Sequence, residues 1–199
     1  MQVNYNKVQK ILHEICLGNK FIKKSLFELE TLIFKNSKKF DNVSSKNIFI
    51  TSLPRSGTTT ILNMFYDSDE YSSLTYNDLP FLMSPNLGKF LFNKKSSTEF
   101  MRPHNDGIKY SINSPEALDE VFLSTYNKEE ILENFSQYIN LIKLKYKKEN
   151  YLSKNNNNFN RIDLINSKIK NCFFFIFFRD PIQHANSLMT QNKNFFNLQ

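Results

Sequence analysis

Residues 47–65 hold the feature that most restricts what this chain can become: a short apolar run ends in a tight polar loop, and a helix pattern starts at once. The run, residues 47–53, is rich in Ile and Phe, and the loop reads Pro54-Arg55-Ser56-Gly57-Thr58-Thr59. Ile61, Leu62, Met64 and Phe65 then fall on helical spacing. Strand, loop and helix in such close succession form the unit with which α/β folds hold phosphate groups. Gly57 lets backbone N–H groups approach an anion closely. A helix starting near Thr58 offers unpaired N–H donors and the positive end of its dipole. Ser56, Thr58 and Thr59 add hydroxyls, and Arg55 adds a planar cation whose fork fits phosphate or sulfate oxygens.

A second strand signal closes the chain. Residues 172–178 are continuously apolar, the pattern of a strand buried on both faces of a parallel sheet. Arg179-Asp180-Pro181 ends the run, and Pro181 suits the first turn of the next helix. Between the two motifs, residues 71–75 and 150–153 read as short strands, and residues 116–126, 128–147 and 161–169 as helices. Pro80, Pro85, Pro103 and Pro115 break any long element in residues 77–115, and the Asn tract at 155–158 reads as a loop. Upstream, residues 6–35 show two helical stripes interrupted by Gly18-Asn19, then a polar linker. The expectation is a three-layer, P-loop-like α/β domain with a mainly parallel sheet flanked by helices. Residues 1–46 would supply N-terminal helices packing on a binding domain at 47–199. Such sheets bind ligands at the carboxyl ends of their strands, where both motifs lie.

Composition narrows the partner. Of 199 residues, 40% are hydrophobic and 23% charged, enough to bury a core and unlike a disordered chain. A net charge of +7 suits a polyanionic partner, but the basic residues are scattered and no aromatic–basic stripe points to nucleic acid. Cys16 and Cys172 lie far apart beside apolar neighbours, which reads as free buried thiols. His13, His104 and His184 have unrelated spacings, so no metal site is expected. No leader pattern opens the chain and its longest apolar run is too short to span a bilayer, so a soluble, cytoplasmic protein is expected.

The loop departs from the nucleotide-hydrolase pattern GxxxxGK[ST]: Leu53 and Pro54 stand at its start, and Thr58 follows Gly57 where a Lys belongs. No acid that could hold Mg²⁺ ends the second apolar run, since Asp180 comes only after Arg179. Pro54-Arg55-Ser56-Gly57-Thr58-Thr59 instead resembles the 5′-phosphosulfate loop of sulfotransferases that use 3′-phosphoadenosine 5′-phosphosulfate (PAPS). Phe178-Arg179-Asp180-Pro181 with Ser187 resembles that family's 3′-phosphate segment, including the eight-residue step from Arg to Ser. Residues 76–85, 104–120 and 151–155 with Arg161 are similar to bacterial members carrying tyrosylprotein-sulfotransferase-like loops. The family continues past the 3′-phosphate helix, whereas this sequence stops at Gln199, so a missing C-terminal part is expected.

The resemblance implies PAPS as co-substrate, 3′-phosphoadenosine 5′-phosphate (PAP) as product, no metal, and an acceptor bearing a hydroxyl or amine. It assigns Arg55, Ser56, Gly57, Thr58, Thr59 and Thr60 to the 5′ end of the nucleotide, and Arg179 and Ser187 to its 3′-phosphate. Sulfuryl transfer is an in-line displacement governed by positioning and charge stabilisation. It needs a base for the acceptor proton, and Asp78, His104 and Asp106 are the candidates. Lys154, just past a strand, is a candidate for contact with the sulfuryl group, and Asn155 for lining the site. Glu116 and Glu120, four apart on the expected helix, would face the acceptor side or solvent. A kinase-like or nucleotide-hydrolysing protein is the alternative, and a non-catalytic nucleotide-binding remnant a third reading.

Overall fold

The computed structural model describes residues 7–37, 45–91, 100–101 and 109–196. Helices α1 (Lys7–Gly18) and α2 (Lys20–Ile33) open the chain, and the Asn19 side chain caps α2 by accepting from the Phe21 N–H at 2.7 Å. Strand β1 (Asn47–Ile50) enters the polar loop, followed by α3 (Thr58–Asp67) and the short β2 (Tyr71–Ser72). A 3₁₀ turn at Tyr76–Asp78 precedes α4 (Pro85–Leu91), and β3 (Phe100–Met101) pairs antiparallel with β4 (Lys109–Tyr110). Then come α5 (Glu120–Thr125), α6 (Lys128–Tyr146), β5 (Asn150–Lys154), a 3₁₀ stretch at Asn156–Arg161, α7 (Ile162–Lys168), β6 (Cys172–Phe175) and α8 (Pro181–Phe196). No described helix is long and apolar enough to cross a membrane.

Four strands form one parallel sheet in the order β2-β5-β1-β6. Because side chains alternate across a strand, β1 feeds two cores. Phe49 points with Tyr151 and Phe174 into a cluster built by Phe122, Phe135, Tyr138 and Ile142 of α5 and α6. Ile48, Ile50 and Leu152 point the other way, onto Leu62, Ile61 and Phe65 of α3. Helix, sheet, helix: the three layers read from the sequence are present. Burial of a side chain such as Phe49 or Leu62, both wholly enclosed, contributes roughly 1.5–3 kcal/mol. Asn127 and Glu130 cap α6 reciprocally, each side chain accepting from the other's N–H at 2.8 and 3.0 Å.

The N-terminal pair is sewn into this body. Phe27 of α2 packs edge-on against Phe122, Tyr126 and Tyr138. Glu30, wholly buried, accepts from the Asn86 N–H at 2.8 Å, the Asn86 side chain at 2.7 Å and the Leu87 N–H at 3.0 Å. A carboxylate from α2 thus satisfies the first turn of α4, whose donors have no partner within their own helix. Burial pushes the Glu30 carboxyl above its ordinary range, with the Leu87 and Asn86 hydrogen bonds opposing.

Three expectations change. The run at 172–178 is not buried on both faces: β6 ends at Phe175 and lies at the edge of the described sheet, with Phe173 49% and Phe178 90% exposed. Its outer side has no paired strand among the described residues, and of the run only Phe175 and Phe177 join the α3-side cluster, Phe175 meeting Phe65 at 5.4 Å between ring centroids. The helix expected over 116–126 starts only at Glu120, because Pro115 bridges Thr75 and the Glu116 N–H donates to the Leu74 carbonyl at 3.3 Å. The Asn tract is ordered, not a loop: Asn155 caps a 3₁₀ stretch by accepting from the Asn157 N–H at 3.0 Å, and Asn158 is buried.

Candidate functional site

The two sequence motifs leave the sheet side by side. Past the end of β1, the Thr51 N–H still donates to the Phe175 carbonyl at 3.0 Å, and the Phe177 N–H donates to Ser52 Oγ at 2.6 Å. Beyond this seam the first chain enters the loop and the second reaches Arg179. Within the loop Arg55 (φ 70°) and Gly57 (φ 89°) are both left-handed. A non-glycine residue held there is uncommon and costs strain. Such a turn gathers successive N–H groups on one side, a concavity suited to an anion. Ser56 Oγ donates back to the Leu53 carbonyl at 2.7 Å, and the Thr60 N–H to the Gly57 carbonyl at 3.1 Å. Both groups therefore close the turn in this conformation. Thr58 is buried at the start of α3.

Helix α8 is fastened onto the loop. Asp180 caps it, its Oδ1 accepting from the Gln183 N–H at 3.0 Å, and Pro181 fills the first turn. His184 Nε2 donates to the Pro54 carbonyl at 2.6 Å, which fixes the protonated nitrogen because a carbonyl only accepts. Arg55 Nε donates to Ser187 Oγ at 3.1 Å. Between loop and helix opens a cleft of about 340 Å³ lined by Arg55, Arg179, Gln183, Asn186, Ser187 and Thr190. No lining residue is acidic. Asp180 turns to its capping role, and Arg179 makes no ion pair among the described residues.

A second polar group stands at the carboxyl end of β5. Lys154 Nζ donates to Glu116 Oε1 at 2.9 Å, and the Tyr76 hydroxyl lies 3.4 Å from Glu116 Oε2. Arg161 forks onto both oxygens of Glu120 at 2.7 and 2.9 Å, and Asn155 Nδ2 donates to the same carboxylate. Burial pushes Glu120 upward, but the Arg161 and Asn155 hydrogen bonds outweigh it and hold the carboxyl below its usual range. Underneath, the enclosed Asp119 accepts from Ser153 Oγ and from the Tyr151 hydroxyl at 3.2 Å. Burial raises its carboxyl to about 6 despite those two hydrogen bonds.

The base candidates fare differently. Asp78 is inside the protein, its side chain wholly unexposed. It accepts from the Thr75 N–H at 2.6 Å and the Tyr146 hydroxyl at 2.6 Å, and pairs with the Lys145 ammonium. That surrounding gives it a capping and charge-pairing role with no open face toward an acceptor. His104 and Asp106 lie outside the described residues. Lys154 and Asn155 stand at the carboxyl end of β5, and Glu116 and Glu120 converge there from a loop and a helix instead of from one helix face. Sequence reading missed His184, Gln183, Asn186 and Thr190. Their one signal was a polar stripe at 183, 186, 187 and 190, the spacing of a single helix face.

A protein-family model described as Sulfotransferase family matches residues 47–198, which span both motifs and everything between them. No curated protein and no solved structure matches this chain.

Proposed function

The chain belongs to the sulfotransferase family, and from that footing we propose that it moves a sulfuryl group from PAPS to a hydroxyl- or amine-bearing acceptor, releasing PAP. The cleft carries this reading. Two guanidinium groups, Arg55 and Arg179, border one space with Ser187 and no acidic neighbour among its lining. An anion bound there would meet both guanidinium groups, whose planar forks fit phosphate oxygens. In the proposed complex the loop backbone and Arg55 hold the 5′ end and take up the charge that grows on the departing phosphate oxygen. Arg179 and Ser187 hold the 3′-phosphate. Lys154, at the next strand end, faces the group in transit. His184 orients the loop without touching the nucleotide, by gripping the Pro54 carbonyl.

Calorimetric titration of PAP, AMP and Mg²⁺–ATP into the wild type and Arg179→Ala tests the proposal. PAP should bind without Mg²⁺ and more tightly than AMP. Arg179→Ala should weaken PAP by about 1.5–3 kcal/mol, the range for a hydrogen bond to a charged group, and leave AMP nearly unchanged. Equal losses for both nucleotides would remove the 3′-phosphate assignment. A wild-type preference for Mg²⁺–ATP would restore the nucleotide-hydrolase alternative.

A further inference from the structure

We infer that Glu116 is the base that takes the acceptor's proton, an assignment that rests on the sulfotransferase reading above. Its position comes from three strand ends. Lys154, the last residue of β5, is in register with Ile50, the last residue of β1, and the Asn155 N–H donates to the Ile50 carbonyl at 2.9 Å. Lys154 therefore emerges one strand away from where the phosphate loop departs. Glu116 reaches the same place from the other side. Its backbone is stitched beyond the end of β2 by the Glu116 N–H to Leu74 carbonyl bond and the Thr75–Pro115 bridge, and β2 is the other neighbour of β5. The carboxylate is thus held over the carboxyl end of β5, where ligands of a parallel sheet bind.

The carboxylates nearby differ in what holds them. Asp78 has no exposed side-chain surface, Asp119 is enclosed beneath the site, and Glu120, 29% exposed, has both oxygens in the bidentate Arg161 fork, whereas Glu116 takes the Lys154 ammonium and the Ala117 N–H on Oε1 and meets the Tyr76 hydroxyl at 3.4 Å on Oε2. Glu116 keeps 13% of its side chain exposed, and Lys154 beside it 14%. This is the half-open setting a proton acceptor needs: reachable by an acceptor yet shielded enough for its neighbours' charges to act on it.

The step balances as a displacement. The acceptor's O–H or N–H proton passes to a Glu116 carboxylate oxygen, and the acceptor oxygen or nitrogen forms a bond to sulfur. The bond from sulfur to the 5′-phosphate oxygen breaks, and its electron pair leaves with PAP. Before the step Lys154 holds Glu116 as a carboxylate. Once Glu116 is protonated, that ammonium is released to face the sulfuryl oxygens. Protonation of the base and cationic support of the transferred group are thereby linked through one ion pair.

The test uses Glu116→Gln and Glu116→Asp in the full chain. PAP affinity is measured by calorimetry, and PAP release from PAPS is followed with water, phenol and glucosamine as acceptors across pH. Glu116→Gln should bind PAP within about twofold of wild type while turnover falls at least about a hundredfold, the usual scale for losing a general base. The acidic limb of the pH–rate profile should vanish with it. Glu116→Asp, which keeps the charge, should recover part of the rate and keep the limb, and it serves equally if the Gln variant folds poorly. Turnover in Glu116→Gln within about threefold of wild type, or a parallel loss of PAP affinity, overturns the assignment. A wild type that binds PAP but releases none from PAPS overturns it as well, while leaving the nucleotide reading standing. A wild type that does not bind PAP overturns both.

Discussion

Arg55 Nε donates to Ser187 Oγ across 3.1 Å, joining residues 132 positions apart in the chain. One belongs to the loop expected to hold the 5′ end of a nucleotide, the other to the helix expected to hold its 3′-phosphate. The two motifs are therefore in direct contact.

That contact predicts coupling. Arg55→Ala should weaken PAP by about 1.5–3 kcal/mol and Ser187→Ala by about 0.5–1.5 kcal/mol. The double variant should lose less than the two together, by more than about 0.5 kcal/mol, because residues in contact are not additive. Calorimetry on the four proteins measures the cycle. Losses that add within about 0.3 kcal/mol would mean that Arg55 and Ser187 act on the ligand independently.

Gly57 predicts a backbone effect, not a steric one. A Cβ built there meets nothing within 4 Å, but φ is 89°. Gly57→Val should destabilise the fold by about 1–2 kcal/mol through the left-handed backbone alone and weaken PAP along with it. Gly57→Asn, whose side chain tolerates that region, should lie between Val and wild type in both urea denaturation and PAP titration. Identical behaviour of Val and wild type would show that the loop relaxes freely.

Asp78→Asn is expected to act on stability. It removes one member of a buried pair and leaves the Lys145 ammonium, 11% exposed, without its carboxylate. Breaking such a pair typically costs about 3–5 kcal/mol, which denaturant unfolding would register directly. A variant of wild-type stability with turnover down about a hundredfold would return Asp78 to the role of base.

Asp119 makes stability depend on pH in an unusual direction for a carboxylate. Its folded-state value is raised from 3.8 to about 6 by burial, so the folded protein binds the proton more tightly than the unfolded chain does. The stability this supplies is fully present below the unfolded value and is lost as pH rises through about 6. The whole effect is about 3 kcal/mol, from roughly two units at 1.36 kcal/mol each. Urea midpoints of wild type and Asp119→Asn, compared at intervals from acid to neutral pH, isolate it. The Asn variant should gain on wild type as pH rises, and a constant difference would refute the shift.

The two motifs that meet at the cleft were legible in the sequence because their signals are local. Gly57 announces a positive φ, Pro181 a helix start, and the apolar runs before each motif their strands. Helix α6 was legible for the same reason, its cap at Asn127 and its stripe lying within one segment. The surroundings of the candidate carboxylates were not. Whether Asp78 faces in or out depends on Lys145 and Tyr146, on a helix nearly seventy residues away. Glu116 lies outside its expected helix, its backbone stitched to Leu74 and Pro115 to Thr75, and no helix propensity records partners some forty residues upstream. Hydrophobic pattern also over-read residues 172–178, since an apolar run carries no information on whether a neighbouring strand exists.

Kinship and packing draw different borders in this molecule. The recognisable sulfotransferase stretch begins at residue 47, yet Glu30, seventeen positions upstream, supplies the hydrogen-bond acceptors that open α4, and Phe27 fills an aromatic socket between α5 and α6. A chain begun at Asn47 would keep every residue of the two sequence motifs and still lose a carboxylate and a ring from its interior. The ancestry of the family is written in the sheet and its loops. The packed interior reaches back to include α2.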